Sequence, residues 1–393
     1  MSKKKYAEIC PPERLLLGAG PSNVDPRVLK ALISPIVAHL DPFFLEVMDE
    51  TVELLRYAFR TKNHITMPIS GTGSAGMESA ICNIVEEGDD VVVCVNGFFG
   101  ERMKEMVQRC GGNPVVVEAE WGEPIRREDV EKALSESNAR VVTIVHAETS
   151  TGILQPMKEI SRTVHEYDAL LVVDAVTSLG GCELDVDEYS IDLCYSASQK
   201  CLNCPPGLAP ITASEKAMER IRNRKTKVQS WYLDLSTIEK YWLENNRVYH
   251  HTAPILLVYA LREALRLLYE EGLESRWRRH EKNGDALVAG LEALGLEMHA
   301  RKENRCPAIT AIKIPENVSD INVRTALREQ FGITVSGGLG RLAGQVWRIG
   351  LMGINSSERN VILVLEALER VLKKEGFPVE LGTGVGAAMS KLS

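Results

Sequence analysis

Short apolar runs alternate with amphipathic stretches through the first half of the chain. The runs are rich in Val, Ile and Leu, and the stretches between them carry apolar residues at helical spacing. Strands that are apolar throughout and separated by helices are typical of a mostly parallel sheet covered on both faces. In such sheets, ligands bind beyond the carboxyl ends of the strands, so the residues that follow each strand are candidates for chemistry. The predicted strands span residues 90–95, 114–119, 140–148, 169–176, 191–198 and 208–214.

After Pro254 the pattern changes to two long helical stretches, about 255–271 and 274–294. Strands near 308–315 and 345–352 follow, each with a helix after it, which predicts a smaller α+β domain. The Gly- and Ala-rich end of the chain predicts a mobile tail. The predicted organisation is an N-terminal arm (1–20), a large domain (21–280), a small C-terminal domain (281–376) and the tail (377–393).

Charge and composition exclude several classes of function. The chain has 393 residues and a formal net charge of -8, which disfavours a nucleic-acid partner because such proteins carry a basic surface. No apolar run approaches the roughly 18 residues that a membrane span requires. The first residues lack the apolar segment of a secretory signal, and the nine cysteines show no disulfide spacing. We therefore expect a cytoplasmic protein with free thiols and no membrane contact.

A Gly-rich turn enters a helix near Ala75, within residues 69–89. Free backbone N–H groups at a helix N-terminus favour an anion, and glycines allow a phosphate to approach closely. The Thr72 hydroxyl could add a donor. An ordinary helix start explains the same residues, so this signal alone is weak.

Asp174 ends an apolar predicted strand, where a carboxylate is costly unless it is paired. It could be a helix cap, one half of a salt bridge, or an acid that holds a cationic ring nitrogen or a metal ion. No cluster of acids or histidines accompanies it at metal-ligand spacing, so we predict no metal site. His250 and His251 are adjacent and are expected to point apart, which also disfavours a metal.

Lys200 follows the next predicted strand, "IDLCYSAS", so it should face the same crevice as Asp174. A buried lysine has a lowered pKa, and such an amine can capture a carbonyl group covalently. Gln199, Ser196 and Ser198 are neutral donors that could serve a phosphate. The neighbouring Cys201-Leu-Asn-Cys204 has no second Cys or His pair to complete a zinc site, so both cysteines are predicted to be packing residues.

Arg348 lies inside the apolar strand "QVWRIGLM", where its guanidinium needs an anionic partner. That partner is either an internal carboxylate or the carboxylate of a substrate, which suits the bidentate fork of arginine. A Gly-rich cradle, a strand-end acid, a strand-end lysine and this arginine together indicate a pyridoxal 5'-phosphate (PLP) site of the aminotransferase kind.

At these residues the sequence resembles the class V aminotransferases of fold type I, and within them the alanine–glyoxylate and serine–pyruvate aminotransferase family. The resemblance implies an α/β fold with a mostly parallel seven-stranded sheet in the large domain and a smaller α+β C-terminal domain. The motifs that carry it are "HLDPFFLEVMDE" (39–50), "ISGTGSAGMES" (69–79), "NGFFGERM" (96–103), "HAETSTGILQP" (146–156), "VVDAVTSLGG" (172–181), "SASQKCLNCPPG" (196–207), "YHHTAP" (249–254) and "VWRIGLMG" (346–353).

The resemblance also implies roles around the cofactor ring. Lys200 would bind the aldehyde and shuttle a proton, and Asp174 would pair with the pyridine nitrogen. The ring would lie between Phe99 and Val176, with Thr149 at its oxygen. Animal members of the family carry Trp where this chain has Phe99, and Phe still stacks, but with less area.

The remaining implied roles concern the phosphate and the substrate. The groups that would bind the phosphate are Thr72, Gly73, Ser74 and Gln199, and Ser74 stands where animal members carry His. Tyr249 and Thr252 would reach the phosphate of the neighbouring subunit, which implies a homodimer with shared active sites. Arg348 would clamp the substrate carboxylate, with Gly20 in the turn that closes over it and Ser178 beside it.

The expected reaction moves an amino group from a small amino acid, alanine or serine, to glyoxylate or pyruvate by a ping-pong route. Aspartate, ureidoglycine or a kynurenine-type donor is an open alternative. A lyase or cysteine desulfurase is less favoured, because Gln199 and Phe99 stand where desulfurases place His. Cys306 is the only candidate for their mobile cysteine, and it lies too early in the chain. A DNA-binding regulator on this fold would need an extra N-terminal domain, which the chain lacks room for.

Overall fold

Residues 6–393 are described in the computed structural model, and apolar strands form its centre. The strands are β1 (Leu15–Leu16), β2 (Ile65–Ser70), β3 (Asp90–Val95), β4 (Asn113–Glu118), β5 (Val141–Val145), β6 (Ala147–Glu148), β7 (Ile153–Leu154), β8 (Leu170–Asp174), β9 (Leu193–Tyr195), β10 (Leu208–Ala213), β11 (Ile309–Lys313), β12 (Ile333–Thr334), β13 (Ser336–Gly337) and β14 (Val346–Gly350). All six strands predicted for the large domain are confirmed within a few residues.

Amphipathic helices separate and cover these strands. They are α1 (Pro26–Ala31), α2 (Pro42–Phe59), α3 (Gly73–Ile84), α4 (Phe98–Arg109), α5 (Arg127–Ser135), α6 (Lys158–Glu166), α7 (Glu215–Arg222), α8 (Leu235–Trp242), α9 (Ile255–Glu271), α10 (Leu273–Ala293), α11 (Asp320–Phe331), α12 (Glu358–Lys374) and α13 (Thr383–Leu392).

The large sheet has seven strands in the order β2–β10–β9–β8–β5–β3–β4. Only β10 runs against its neighbours, β2 and β9, so the sheet is mostly parallel, as predicted. The hydrophobic pattern alone did not indicate β2, which Pro68 interrupts. A proline is tolerated there because β2 is an edge strand.

The interior of this sheet explains why its strands are continuous apolar runs. Val92, Val93, Val142 and Leu171 are inaccessible to solvent, since helices pack on both faces. The carboxyl ends of β5, β8 and β9 come together in the middle of the sheet, because these strands are parallel neighbours. The polar residues that follow them therefore meet at one edge.

The C-terminal part contains a second, antiparallel sheet in the order β11–β14–β13 and its own apolar core. Residues of the predicted N-terminal arm join it, because β1 pairs in parallel with β12 and Leu17 is buried in that core. Residues 1–5 of the arm lie outside the described residues.

Helix α10 crosses the predicted domain boundary at residue 280. Its first turns place Leu273 and Trp277 in the core of the large sheet, whereas Leu287 and Leu291 belong to the C-terminal core. No helix between residues 6 and 393 combines the length and the apolar character needed to cross a membrane.

The tail differs from its prediction. Residues Thr383–Leu392 form α13, whose Ala388 and Leu392 are buried in the C-terminal core. The helix packs closely on α10, since a Cβ added at Gly384 would lie 3.0 Å from the carbonyl oxygen of Gly290. Small residues at this position therefore allow the two helices to pack closely. A Gly- and Ala-rich composition is found both in closely packed helices and in mobile tails, so composition alone does not distinguish them.

Candidate active site

Asp174 lies at the carboxyl end of β8, only 2% exposed. Its Oδ1 accepts a hydrogen bond from the Val176 N–H at 2.8 Å, and its Oδ2 accepts one from the Tyr195 hydroxyl at 2.9 Å. Burial raises the pKa of Asp174 to about 6, and these two hydrogen bonds oppose that shift. The acid is therefore held in one orientation and remains largely ionised at neutral pH.

Lys200 lies in the turn after β9 and is 8% exposed. Its Nζ donates a hydrogen bond to the Ala19 carbonyl oxygen. Burial lowers the pKa of Lys200 to about 8, and the positive charge of Arg348 adds to the effect. The amine is accordingly poised to lose its proton just above neutral pH.

The backbone of Gly20 passes directly over this amine. A Cβ added at Gly20 would lie 2.7 Å from Lys200 Cδ and 2.8 Å from its Nζ, and its φ of +99° also favours glycine. The turn that contains Gly20 therefore depends on glycine to approach the lysine.

Arg348 on β14 is 5% exposed, yet it forms no ion pair with the described chain. Its Nε donates to the Gly337 carbonyl at 2.9 Å and its Nη1 to the Thr149 carbonyl at 3.2 Å, while Nη2 has no hydrogen-bond partner there. Burial lowers the pKa of Arg348 to about 10, although the Glu148 carboxylate opposes this. The internal ion pair that the sequence allowed for Arg348 is thus absent among residues 6–393, and the Nη2 group of its guanidinium remains free to donate.

The Gly-rich turn after β2 opens helix α3, which begins at Gly73, two residues before the predicted start. A Cβ added at Gly73 would lie 2.8 Å from the Ala197 side chain and 3.4 Å from Val176. The helix N-terminus is therefore packed against the segments that carry Lys200 and Asp174. Thr72 and Ser74 flank it and are exposed, which leaves their donors and the first N–H groups available.

Phe99 lies in the first turn of α4, half-buried, and its backbone is fixed by a buried acid. The Glu148 carboxylate accepts from the N–H groups of Phe99 at 2.9 Å and Gly100 at 3.3 Å. The Arg102 guanidinium lies 4.9 Å from the Phe99 ring centre and donates to Ser74 Oγ at 3.2 Å. These contacts connect the aromatic ring to the helix N-terminus at α3.

Comparison with known proteins identifies the family. Residues 15–359 match the family model described as aminotransferase class-V. The (S)-ureidoglycine–glyoxylate transaminase of Bacillus subtilis (strain 168) is 40% identical over 400 residues, which cover 97% of this chain and 96% of the relative. The chain belongs to the class V aminotransferases. It is a transaminase that depends on PLP, and the family and cofactor predicted from the sequence are confirmed.

Two crystal structures extend the similarity to this aminotransferase's whole fold. That of ureidoglycine–glyoxylate aminotransferase from Bacillus subtilis has a TM-score of 0.96 and 41% identity, over 98% of this chain and 100% of that chain. That of alanine–glyoxylate aminotransferase from Nostoc sp. has a TM-score of 0.92 and 47% identity, over 94% and 98% of the two chains. The predicted fold type I is therefore confirmed.

The residues of this aminotransferase fit PLP. Three polar atoms buried beside Asp174 and Lys200, namely Gln199 Oε1, Ser178 Oγ and His146 Nδ1, have no hydrogen-bond partner among the described residues. Unpaired buried polar atoms are costly and indicate a polar ligand. Burial lowers the pKa of His146 to about 4, so its ring is neutral. A carboxylate for a ring nitrogen, an amine for an aldehyde and free N–H groups for a phosphate complete the match.

Two of the predicted site residues stay apart from the others. Tyr249 and Thr252 are exposed, and their hydroxyl groups lie 3.3 Å from each other with no hydrogen bond to Thr72, Gly73 or Ser74. Their neighbour His251 fixes the segment through a 2.7 Å hydrogen bond between its Nε2 and Ser70 Oγ. The role predicted for them across a subunit boundary stays a prediction.

Two expectations at the edges of the site need correction. Ser196 and Ser198 are not free donors, because their hydroxyls are bonded to the carbonyls of Ala175 at 3.0 Å and Pro205 at 2.6 Å. His250 and His251 do not point apart, since their Nδ1 atoms are hydrogen-bonded at 2.8 Å.

The two cysteines after Lys200 are small buried groups, in agreement with their predicted packing role. Cys201 Sγ donates to the Thr177 carbonyl at 3.3 Å, and burial raises the pKa of Cys201 to about 12. Burial also raises the pKa of Cys204. Both therefore remain thiols and do not compete with Lys200 as nucleophiles at neutral pH.

Proposed function

We propose that this aminotransferase moves an amino group from a small amino acid, alanine or serine, to glyoxylate or pyruvate by a ping-pong route. The observation that carries the proposal is that Lys200, a buried amine of lowered pKa, lies close enough to the acid Asp174 and to the guanidinium of Arg348 for the charges of both to act on it. Glyoxylate is favoured as the acceptor, because it appears in the names of both of the similar enzymes.

Each side chain would have a defined task. Bound PLP supplies an electron sink for charge that develops at the substrate Cα. Asp174 would hold the ring nitrogen through its carboxylate, and the Tyr195 hydroxyl would keep that carboxylate in place. Phe99 and Val176 would enclose the ring, with Thr149 at its edge. Phosphate donors would come from Thr72, Gly73, Ser74 and Gln199.

Lys200 would bind the cofactor covalently and then move protons. Because its pKa is lowered to about 8, a useful fraction of Nζ is neutral at physiological pH. The neutral amine would accept a proton from the substrate Cα and deliver it to C4′, the cofactor carbon that carries the aldehyde. Its hydrogen bond to Ala19 directs Nζ toward the turn that contains Gly20.

Arg348 would bind the substrate carboxylate. Two of its nitrogens are fixed by the carbonyls of Gly337 and Thr149, which leaves the Nη2 side of the fork as a pre-positioned donor. Gly20 and Ser178 would line the same subsite, since Gly20 lies over Lys200 and Ser178 follows Asp174 in a buried loop.

We also propose a homodimer in which Tyr249 and Thr252 reach the phosphate of the neighbouring subunit. Support comes from their exposure and from the aromatic surface beside them, where Trp231 is 64% exposed. Large exposed aromatic groups of this kind favour a protein interface.

The donor is tested with a panel of amino acids. The PLP form of the purified enzyme is mixed with alanine, serine, aspartate, kynurenine or (S)-ureidoglycine, and loss of the visible cofactor band is followed. Alanine or serine should give the fastest loss, and added glyoxylate should restore the band with release of glycine. The proposal fails if no amino acid removes the band.

(S)-Ureidoglycine is the second candidate donor, because the Bacillus subtilis enzyme with that substrate in its name is similar over nearly the whole chain. A desulfurase is disfavoured by Cys306, which is 2% exposed and whose Sγ lies 3.6 Å from Cys182 Sγ. A sulfur-carrying cysteine must move to the substrate, and this one is packed. Sulfide release from cysteine without an oxo acid would favour the desulfurase instead.

A further inference from the structure

Asn203, between the two cysteines that follow Lys200, is the hub of a buried hydrogen-bond network. It is 3% exposed and has a φ of +54°, a left-handed conformation that Asn adopts more readily than most residues. Its N–H donates to the Lys200 carbonyl at 3.1 Å, which closes a tight turn directly after the lysine. The side chain of Asn203 is thus fixed relative to Lys200.

The amide of Asn203 bonds to segments from distant parts of the chain. Its Oδ1 accepts from the Ile354 N–H at 2.7 Å and from Arg276 Nη2 at 3.0 Å. Its Nδ2 donates to Ser22 Oγ at 2.9 Å and to the Met352 carbonyl at 3.2 Å. Both ends of one side chain are therefore used, and a group that only donates or only accepts could not replace it.

One of these segments is the turn over Lys200. Ser22 lies two residues after Gly20, and its hydroxyl donates to the Lys200 carbonyl at 2.9 Å while accepting from Asn203. Nδ2 of Asn203 also lies 3.2 Å from the Asn23 carbonyl oxygen. Asn203 therefore holds the Gly20 turn against the lysine.

The other segment continues from the strand of Arg348. Met352 and Ile354 flank Gly353, where an added Cβ would lie 1.6 Å from Asn203 Oδ1, so only glycine fits. The opposite side of this segment is tied to α10, because the Gly353 N–H donates to His280 Nε2 at 2.9 Å. The end of β14 is consequently locked to the lysine turn through Asn203.

We propose that Asn203 is a positioning residue. It holds the carboxylate subsite, formed by Arg348 and the Gly20 turn, at the distance and orientation from Lys200 that the reaction needs. The inference rests on the proposed function, since it assumes that Arg348 binds a substrate carboxylate. Asn203 touches neither substrate nor cofactor in this assignment; it acts through the segments that its hydrogen bonds join. A shift of the subsite relative to Lys200 would lower the reaction rate, because reactivity depends on sub-ångström placement of the reacting groups.

The test compares Asn203→Asp with the wild-type holoenzyme. Aspartate has the same shape and keeps the acceptors, but it cannot donate to Ser22 or Met352. We expect kcat/KM for the best amino donor to fall about tenfold or more, the effect of losing buried hydrogen bonds. Propionate, a carboxylate without an amine, should inhibit the variant more weakly by a similar factor. The dissociation constant of PLP should stay within about twofold, because Asp174 and the α3 N-terminus are unaffected.

A matched control separates positioning from stability. Asn83 is also buried, and its amide bonds to the carbonyls of Ser79 at 2.8 Å and Leu233 at 2.7 Å and to the Leu235 N–H at 3.0 Å. It lies at the far end of α3 from the Gly-rich turn. Asn83→Asp should lower Tm without changing kcat/KM or propionate inhibition.

A less disruptive substitution tests the same proposal if Asn203→Asp folds poorly. Ser22→Ala removes only the hydroxyl between Asn203 and the Lys200 carbonyl, and should lower kcat/KM about threefold. If both folded variants lower Tm but keep kcat/KM and propionate inhibition within twofold of wild type, Asn203 is merely structural and the proposal is wrong. Failure of the proposed function looks different: the wild-type cofactor would react with no amino acid at all.

Discussion

The two ends of the site differ in how they are built. The buried end, which comprises Asp174, Lys200 and Arg348, is at most 8% exposed, and each of its side chains is bonded within the chain. The open end, which comprises Thr72, Ser74, Tyr249 and Thr252, is exposed. We propose on this basis that one chain suffices to tune the reacting groups, whereas holding the cofactor's phosphate would depend on contacts from a second subunit.

Burial also shifts the pKa values of the groups at the buried end. Removal of water raises the pKa of Asp174 to about 6 and lowers that of Lys200 to about 8, so the two groups approach each other in proton affinity. Such opposed shifts are typical of catalytic sites.

Lys200→Ala should have the largest effect. Without the amine, neither covalent cofactor binding nor proton transfer is possible, so the half-reaction rate should fall by about 10⁴-fold or more. The visible band of the lysine-bound cofactor should also disappear. Lys216→Ala is the control, since Lys216 is a surface lysine paired with Asp168 at 2.8 Å and should change neither signal. An unchanged visible band in Lys200→Ala would disprove the assignment.

Asp174→Asn should have the next largest effect. The amide keeps the shape but loses the charge that would hold the ring nitrogen protonated, so the half-reaction rate should fall roughly 10²- to 10³-fold. PLP should remain bound through Lys200 and keep its visible band. Asp192→Asn is a matched control, because Asp192 is buried and bonds to the Leu171 N–H at 2.9 Å on the same sheet. It should lower Tm and leave the half-reaction rate unchanged.

The pH dependence of cofactor capture tests the role of burial directly. Only the neutral amine attacks an aldehyde, and the lowered pKa makes it available at lower pH. The rate at which the apoenzyme captures PLP should therefore rise about fiftyfold from pH 6 to pH 8 and level off above it, as a pKa of about 8 requires. A rate that continues to rise tenfold per unit up to pH 10 would mean that Lys200 titrates as an ordinary lysine.

The fold was largely predictable because its signals are local. Short apolar runs marked six of the seven strands, and the helices α9 and α10 followed from apolar spacing. The edge strand β2 and the packing of α13 were not predictable, because they depend on partners far along the chain. Pro68 interrupts the apolar pattern that would predict a strand. A glycine such as Gly384 is found both in closely packed helices and in flexible tails, so it predicts neither.

The buried end of the site was predictable for a related reason. Asp174 and Lys200 each follow an apolar strand, and parallel strands bring their carboxyl ends together. Asn203 and Arg102 were missed, since nothing in their neighbours indicates a long-range hydrogen bond, and Glu148 was missed although its sequence position carried a signal. The one available signal was chemical, because a carboxylate inside an apolar strand end, such as Glu148, needs a partner.

The open end should show smaller effects that depend on a second subunit. Tyr249→Phe combined with Thr252→Ala removes two hydroxyl donors, so the dissociation constant of PLP should rise about three- to tenfold. The visible band and the half-reaction rate at saturating PLP should change little, because Asp174 and Lys200 are intact. Tyr269→Phe is the control, since Tyr269 is 57% exposed, close to the 55% of Tyr249, and packs on Tyr57.

Dilution decides whether those hydroxyls act across a subunit boundary. If they do, wild-type PLP affinity should weaken as sedimentation shows the dimer dissociating, and the double variant should lose this concentration dependence because it no longer gains from its partner. If instead the wild-type chain binds PLP equally well at every concentration at which it is monomeric, the open end is complete within one chain. The contrast between the two ends would then be one of exposure alone.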